Sequence, residues 1–105
     1  MKKVLLSVAA LGLMGAFGNA VAADAAAGKA KYAICAGCHG PTGAGNPALN
    51  YPKLSGMEAG YVAQQLRDFK SGKRNTPMAA TMKAMTAALS EADMDNLGAY
   101  VATLK

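Results

Sequence analysis

The sequence predicts a small all-α domain that is completed by a bound group. Apolar residues recur at helical spacing in several segments, and no segment alternates with the period of two that a half-buried strand shows. From residue 24 onward there is no tryptophan and a single phenylalanine, Phe69. So short a chain buries little surface, and small domains usually supplement their core with a disulfide, a metal or a cofactor.

Residues 1–22 predict a secretory signal peptide that is removed from the mature protein. Lys2 and Lys3 precede an apolar run over 4–17, and an Ala-x-Ala pattern places the cut after Ala22, with a cut one residue later as the alternative. An uncleaved membrane anchor is the competing interpretation, but the run is short of the ~20 residues a span needs and glycines interrupt it. We therefore expect export to the periplasm.

Residues 23–105 then form one domain. Eleven basic side chains fall to nine when Lys2 and Lys3 leave with the signal, against six acidic ones, so the formal charge is +3. This balance is too weak to indicate nucleic acid. We expect no stable membrane insertion after cleavage, and a monomer or weak dimer.

Four helices are expected. An Ala-rich segment at 24–37 predicts the first, and Ser55–Glu58 has the pattern of a capping box that opens a second helix ending at Gly72. A weaker helical segment covers 79–88, and Ser90 begins a second box pattern for the last helix. The last helix carries an apolar stripe formed by Met94, Leu97, Val101 and Leu104.

The segment 40–54 predicts a loop. It contains three glycines and three prolines, which exclude a long regular element. A solvated linker is one interpretation, but a loop of this length in so small a domain more often surrounds something or carries function.

The chemistry of the chain is concentrated in "CAGCH", residues 35–39. This stretch holds both cysteines, Cys35 and Cys38, and the only histidine, His39. A Cys35–Cys38 disulfide would close a very small loop and stabilise little, and a thioredoxin-like motif needs a βαβ context. Zinc needs four ligands, and the chain offers no further Cys or His to complete the set.

Covalent haem accounts for all three residues. Two thiols can add to the two vinyl groups of the porphyrin, and the imidazole that follows can reach the iron. Cys-x-x-Cys-His is the attachment sequence of c-type haem, and the export signal and the small core agree with it. We therefore predict one haem c as the cofactor, attached through Cys35 and Cys38, with His39 as an axial iron ligand.

At these residues the chain resembles the small monohaem class I cytochromes c, especially cytochrome c553 and the single-haem halves of cytochrome c4. The resemblance covers nearly all of residues 23–105 and is carried by "YAICAGCHGPTGAG", "YPKLSG", "YVAQQLRDFKSGKRN" and "MKAMTAALSEADMDNLGAYVATL". It implies the class I cytochrome c fold, about four helices wrapped around one covalently bound haem, with the terminal helices crossing at Gly28 and Tyr32 against Leu97 and Tyr100.

The resemblance also implies the second axial ligand. In the family this methionine lies eight residues before the residue that caps the last helix, which is Met82 here; Met78, after a proline, is the runner-up. Core filling is the alternative role for any methionine, and it is the one expected of Met94. Pro52 resembles the proline whose carbonyl accepts a hydrogen bond from the histidine ligand, although a plain turn residue is the alternative.

Several polar residues have two open interpretations. Arg67, Tyr51 and Asn75 are candidates to bond the haem propionates, or they are solvated side chains. Basic residues near the expected haem edge would steer an acidic partner, or they only add solubility; they are Lys53, Lys70, Lys73, Arg74 and Lys83.

The function expected is one-electron transfer between redox partner proteins, without an enzymatic activity of its own. A haem-bearing subunit of a larger periplasmic oxidoreductase is the alternative, since it would use the same chemistry. A gas-binding haem sensor with an open sixth position is a further alternative. The cluster of Met78, Met82 and Met85 disfavours it, because it offers ligands for that position.

Overall fold

The structure is a computed structural model that describes residues 22–105, so the predicted signal peptide lies outside the described residues except for Ala22. The described part contains four α-helices and one 3₁₀ turn, and no strand beyond an isolated bridge between Asn46 and Tyr51. The helices are α1 (Ala25–His39), α2 (Ala59–Ser71), α3 (Ala79–Thr86) and α4 (Glu91–Val101), and the 3₁₀ turn is Pro47–Leu49. The predicted all-α fold is confirmed.

Helix α1 runs two residues further than predicted and ends on the histidine. Asp24 caps its start by accepting hydrogen bonds from the backbone N–H groups of Ala26 and Ala27. Gly40 ends it with a φ of 85°, a conformation that glycine adopts without strain. His39 is therefore held on the last turn of a helix.

The expected capping box at Ser55–Glu58 is wrong. Helix α2 begins only at Ala59, and Glu58 caps it without a side-chain hydrogen bond. The Ser55 N–H is already bonded to the Gly43 carbonyl, and Gly56 has a φ of 87° and donates its N–H to Leu104. Because these contacts hold residues 54–57 in a turn, the helix starts after it.

The predicted end of α2 and the predicted start of α4 agree with the structure, whereas α3 ends at Thr86, two residues before its predicted end. Gly72 ends α2 in the left-handed conformation. Ser90 caps α4, and its side chain and that of Asp93 each bond the other's backbone N–H in a complete capping box.

The first and last helices cross at close range. A β-carbon built on Gly28 would lie 2.0 Å from the Asn96 carbonyl oxygen, so only glycine lets the helices approach this far. One turn later the Tyr32 and Tyr100 rings pack with centroids 5.3 Å apart. The crossing that the family resemblance implied is present at these residues.

The core lies where α1 and α2 pack on α4. Met94 and Leu97 of α4 are completely buried, so Met94 fills the core as expected. Helix α3 packs on α2. Within residues 22–105, no helix combines the length and the apolar character needed to cross a membrane.

Candidate haem-attachment site

The two cysteines lie one helical turn apart near the end of α1. Cys35 is half-buried and packs against the core, Cys38 is exposed, and both are free thiols. Their three-residue spacing places them on neighbouring positions of one helix face. Burial, and to a lesser extent the nearby Cys38, raises the pKa of the Cys35 thiol above its ordinary value.

His39 is 7 % exposed, and its ring is oriented by a backbone carbonyl. Its Nδ1 lies 2.9 Å from the carbonyl oxygen of Pro52. Because a carbonyl can only accept, Nδ1 carries the proton and donates it, which leaves the lone pair on Nε2. An imidazole fixed in this tautomer is the usual form of a histidine metal ligand.

The loop 40–55 brings Pro52 to the histidine through backbone hydrogen bonds. The Gly45 N–H donates to the His39 carbonyl at 2.8 Å, and the Gly43 carbonyl accepts from the N–H groups of Leu54 and Ser55. Gly45 has a φ of 71°, and a β-carbon there would lie 2.7 Å from the Pro52 carbonyl oxygen. Glycine at this position therefore lets the two arms of the loop touch beside His39.

Three methionines share one face of the α3 region. Met78 precedes the helix, and Met82 and Met85 follow at steps of four and three residues. Met82 is half-buried and packs against the core, whereas Met78 is 40 % exposed and Met85 is 37 % exposed. Met85 is thus among the exposed apolar side chains of the described polypeptide.

Thr86 is a supporting residue that sequence reasoning missed. Its side chain is almost fully buried. Its hydroxyl donates to the backbone carbonyl of Met82 at 2.8 Å, and it also lies 3.2 Å from the backbone carbonyl of Lys83. The four-residue spacing to Met82 was a usable signal, since a helical threonine often bonds the carbonyl one turn earlier.

The candidate propionate-binding residues are placed differently from one another. Arg67 bonds the carboxylates of Glu91 and Asp95 and so ties α2 to α4. The nearby Cys38 thiol is the main cause that raises the pKa of the Tyr51 phenol above its ordinary value. Asn75 is exposed. The Arg67 side chain is therefore paired with two carboxylates of α4, in contrast to the solvated side chain that the sequence left open.

The basic residues of the expected haem edge have mixed surroundings. Lys70 donates to the Leu89 carbonyl, and Arg74 lies over the Phe69 ring with its guanidinium 4.5 Å from the ring centroid. Three others are exposed: Lys53, Lys73 and Lys83.

The donor set fits a covalently attached haem. It offers two free thiols one helical turn apart, an oriented imidazole with its Nε2 lone pair available, and thioethers on a separate helix. Within residues 22–105, no three His, Cys, Asp or Glu side chains converge as a metal ion held by such groups alone requires. The geometry thus supports haem.

Comparison with known proteins identifies the family. The cytochrome c family model matches residues 25–105. Cytochrome c4 of Pseudomonas aeruginosa is 42 % identical over 100 % of this chain and 50 % of its own length. Cytochrome c-554(547) of Halothiobacillus neapolitanus is 47 % identical over 80 % of this chain and 100 % of its own. A protein of Thiomonas intermedia named thiosulfate dehydrogenase electron acceptor is 42 % identical over 93 % of this chain and 44 % of its own.

A solved structure agrees with this result. Reduced recombinant cytochrome c4 from Pseudomonas stutzeri superimposes with a TM-score of 0.66 at 34 % identity, over 79 % of this chain and 50 % of that one. The chain spans about half the length of the cytochrome c4 relatives that it matches. It belongs to the cytochrome c family, whose members carry covalently attached haem c, and it has the attachment spacing at Cys35, Cys38 and His39.

Proposed function

We propose that this member of the cytochrome c family is a one-electron carrier. Cys35 and Cys38 would attach the haem, and His39 and Met82 would be the axial iron ligands. The observation that carries the proposal is the hydrogen bond between His39 Nδ1 and the Pro52 carbonyl, because it leaves Nε2 ready to bind a metal. When bound, the haem iron supplies a ferric–ferrous couple.

The residues around the site have distinct roles in this proposal. Pro52 fixes the orientation and tautomer of His39, and its hydrogen bond raises the basicity of the imidazole. Met82 offers a soft thioether, which favours the reduced state of iron. The burial of Met82 against the core supports it over the more exposed Met78, which stays the runner-up.

Electron transfer of this kind needs no general acid or base, and we propose that the protein is a carrier and not an enzyme. Its partners would be a protein donor and a protein acceptor of electrons, with no role for nucleic acid. The predicted signal peptide, removed after Ala22 or one residue later, would deliver the domain 23–105 to the periplasm as a monomer or weak dimer.

A permanent subunit of a larger oxidoreductase is the second candidate. Two observations favour it. One relative is named a thiosulfate dehydrogenase electron acceptor. Three large apolar side chains of the described residues are more than half exposed: Ile34 beside Cys35, Leu49 in the 3₁₀ turn and Tyr61 on α2. Purification of the protein from its own periplasm separates the two: a carrier elutes alone, and a subunit elutes with its partner.

The decisive experiment is the absorption spectrum of the purified haem-loaded protein, oxidised and reduced, with and without carbon monoxide. A low-spin spectrum with the far-red sulfur-to-iron band and no response to carbon monoxide is expected. Met82→Ala should abolish that band and open the iron to carbon monoxide, whereas the matched control Met78→Ala should leave the spectrum unchanged. Ready binding of carbon monoxide by the unaltered protein would overturn the carrier proposal in favour of gas binding, and the opposite pattern in the two variants would make Met78 the ligand.

A further inference from the structure

A buried tyrosine hydroxyl lies next to the attachment motif. Tyr32 is 3 % exposed, and its hydroxyl donates to the carbonyl of Gly40 at 2.8 Å. The ring packs in the α1–α4 crossing against Tyr100, but a phenylalanine ring would fill that space equally well. The hydroxyl therefore has a role that core packing does not explain, because it reaches eight residues along the chain to the residue that follows His39.

The Gly40 carbonyl is the first member of a connected set of hydrogen bonds. It accepts from the Gly43 N–H at 3.1 Å as well as from Tyr32. Gly43 in turn accepts from the N–H groups of Leu54, at 2.7 Å, and of Ser55. These bonds join the turn after His39 to the segment that contains Pro52.

We propose that the Tyr32 hydroxyl is a positioning group for the His39 ring. By holding the Gly40 carbonyl, it fixes the turn 40–45, and this turn fixes the segment whose Pro52 carbonyl orients the imidazole. The proposal rests on the role of His39 as iron ligand proposed above. It makes Tyr32 a link between the helix crossing and the proposed iron-binding nitrogen, through the hydrogen bond of its hydroxyl to the Gly40 carbonyl.

The physical reason is that the hydrogen bonds of Gly40 and Gly43 are connected, so that weakening one of them loosens the rest of the turn. Gly40 and Gly43 both have positive φ, so the turn has no helical or strand ladder to hold it. Removing one of the two donors to the Gly40 carbonyl costs about one hydrogen bond and leaves that carbonyl with the Gly43 N–H alone. Without the Tyr32 hydrogen bond, the loop 40–55 should open from His39 more often while the helices stay packed.

The test compares Tyr32→Phe with Tyr100→Phe in the haem-loaded protein. Both variants lose a hydroxyl and keep a ring in the same crossing, but only the Tyr32 hydroxyl bonds the Gly40 carbonyl. The first readout is the exchange rate of the His39 ring N–H, followed by NMR. Tyr32→Phe should raise it on the order of tenfold, the effect of about one hydrogen bond, while Tyr100→Phe should change it less than about twofold.

The second readout is the reduction potential. A looser hydrogen bond to Pro52 makes His39 a weaker electron donor to iron, which disfavours the ferric state. The potential of Tyr32→Phe should therefore rise, and that of Tyr100→Phe should stay at the value of the unaltered protein.

Two results would overturn the proposal. One is an unchanged exchange rate and potential in Tyr32→Phe. The other is a faster His39 ring exchange that is matched by the same factor at the amides of Val62 and Leu66, because this would show only global destabilisation.

If Tyr32→Phe yields too little folded protein, native-state exchange of the unaltered protein at low denaturant replaces it. The His39 ring N–H should then open together with the amides of Gly43 and Leu54, and separate opening would overturn the proposal. Failure of the proposed function is distinguishable, since it would be seen in the carbon monoxide spectrum of the unaltered protein.

Discussion

The two sides of the proposed iron site are built differently. The histidine side, residues 39–56, is held by backbone hydrogen bonds that join distant positions, such as those from Leu54 and Ser55 to Gly43. The methionine side, residues 73–89, is held mainly by short-range bonds, such as Ala79 to Thr76 and Leu89 to Thr86. Its helix α3 has eight residues and packs on α2.

This difference indicates which of the two segments opens more easily. A segment with long-range bonds opens only when several of them break together, whereas a short helix with local bonds can open alone. We therefore expect the histidine ligand to stay in place under conditions in which the methionine ligand is lost. The following three predictions test this contrast, from the largest expected effect to the smallest.

The largest effect is expected on the histidine side, at Gly45. Gly45→Ala adds a β-carbon 2.5 Å from the Tyr51 carbonyl oxygen at a φ of 71°, so both a clash and backbone strain oppose it. The control Gly56→Ala has a similar φ of 87° but no atom within 4 Å. We expect a loss of more than about 2 kcal/mol in the free energy of unfolding for Gly45→Ala and about 1 kcal/mol for Gly56→Ala.

Denaturant unfolding of the haem-loaded variants measures both values. Equal losses would mean that backbone strain alone matters, and that the close contact between the two arms of the loop contributes nothing.

An intermediate effect is expected on the methionine side, at Thr86. Thr86→Val removes the hydroxyl that bonds the Met82 carbonyl at 2.8 Å and keeps the shape of the side chain. The expected cost is about 1 kcal/mol, confined to α3. The sulfur-to-iron band should therefore disappear at a lower denaturant concentration than the helical circular dichroism does.

Thr81→Val is the matched control, because Thr81 is an exposed residue of the same helix. It should leave the band as stable as in the unaltered protein. If the band and the helical signal of Thr86→Val were lost together, the methionine side would not open independently.

The smallest effect is expected at Asp93, in the capping box that follows the methionine side. The backbone N–H of Ser90 is the main cause that lowers the pKa of this carboxyl below its ordinary 3.8, and the Ser90 hydroxyl and Lys31 act in the same direction. A lowered pKa stabilises the folded state above the ordinary value, and this contribution is lost as the pH falls through the lowered one. Asp93→Asn keeps an acceptor for Ser90 but removes the titration.

The measurement is the thermal stability of both proteins between pH 7 and pH 2. The unaltered protein should lose more stability than Asp93→Asn as the pH falls below about 4. Glu58→Gln, which removes a carboxylate that makes no side-chain capping hydrogen bond at the start of α2, serves as the control for net charge. Parallel curves for the unaltered protein and Asp93→Asn would contradict the prediction.

Local patterns in the sequence predicted most of the helices. The box at Ser90 and the stop at Gly72 were read correctly, because their partners lie within four residues and form wherever the backbone permits. The similar pattern at Ser55 failed, because the backbone N–H of that residue bonds Gly43, twelve residues away. A local motif predicts a helix start only when no distant group competes for its atoms.

The sequence by itself determined the chemistry: Cys35, Cys38 and His39 are adjacent along the chain, so a single helix turn suffices to bring them together. Only the tertiary structure decided how that chemistry is held. The Pro52 carbonyl on Nδ1, the Tyr32 hydroxyl on Gly40 and the occupation of Arg67 by Glu91 and Asp95 all join residues far apart in the chain. Such contacts depend on how the helices cross and the loop closes, which no short-range pattern encodes.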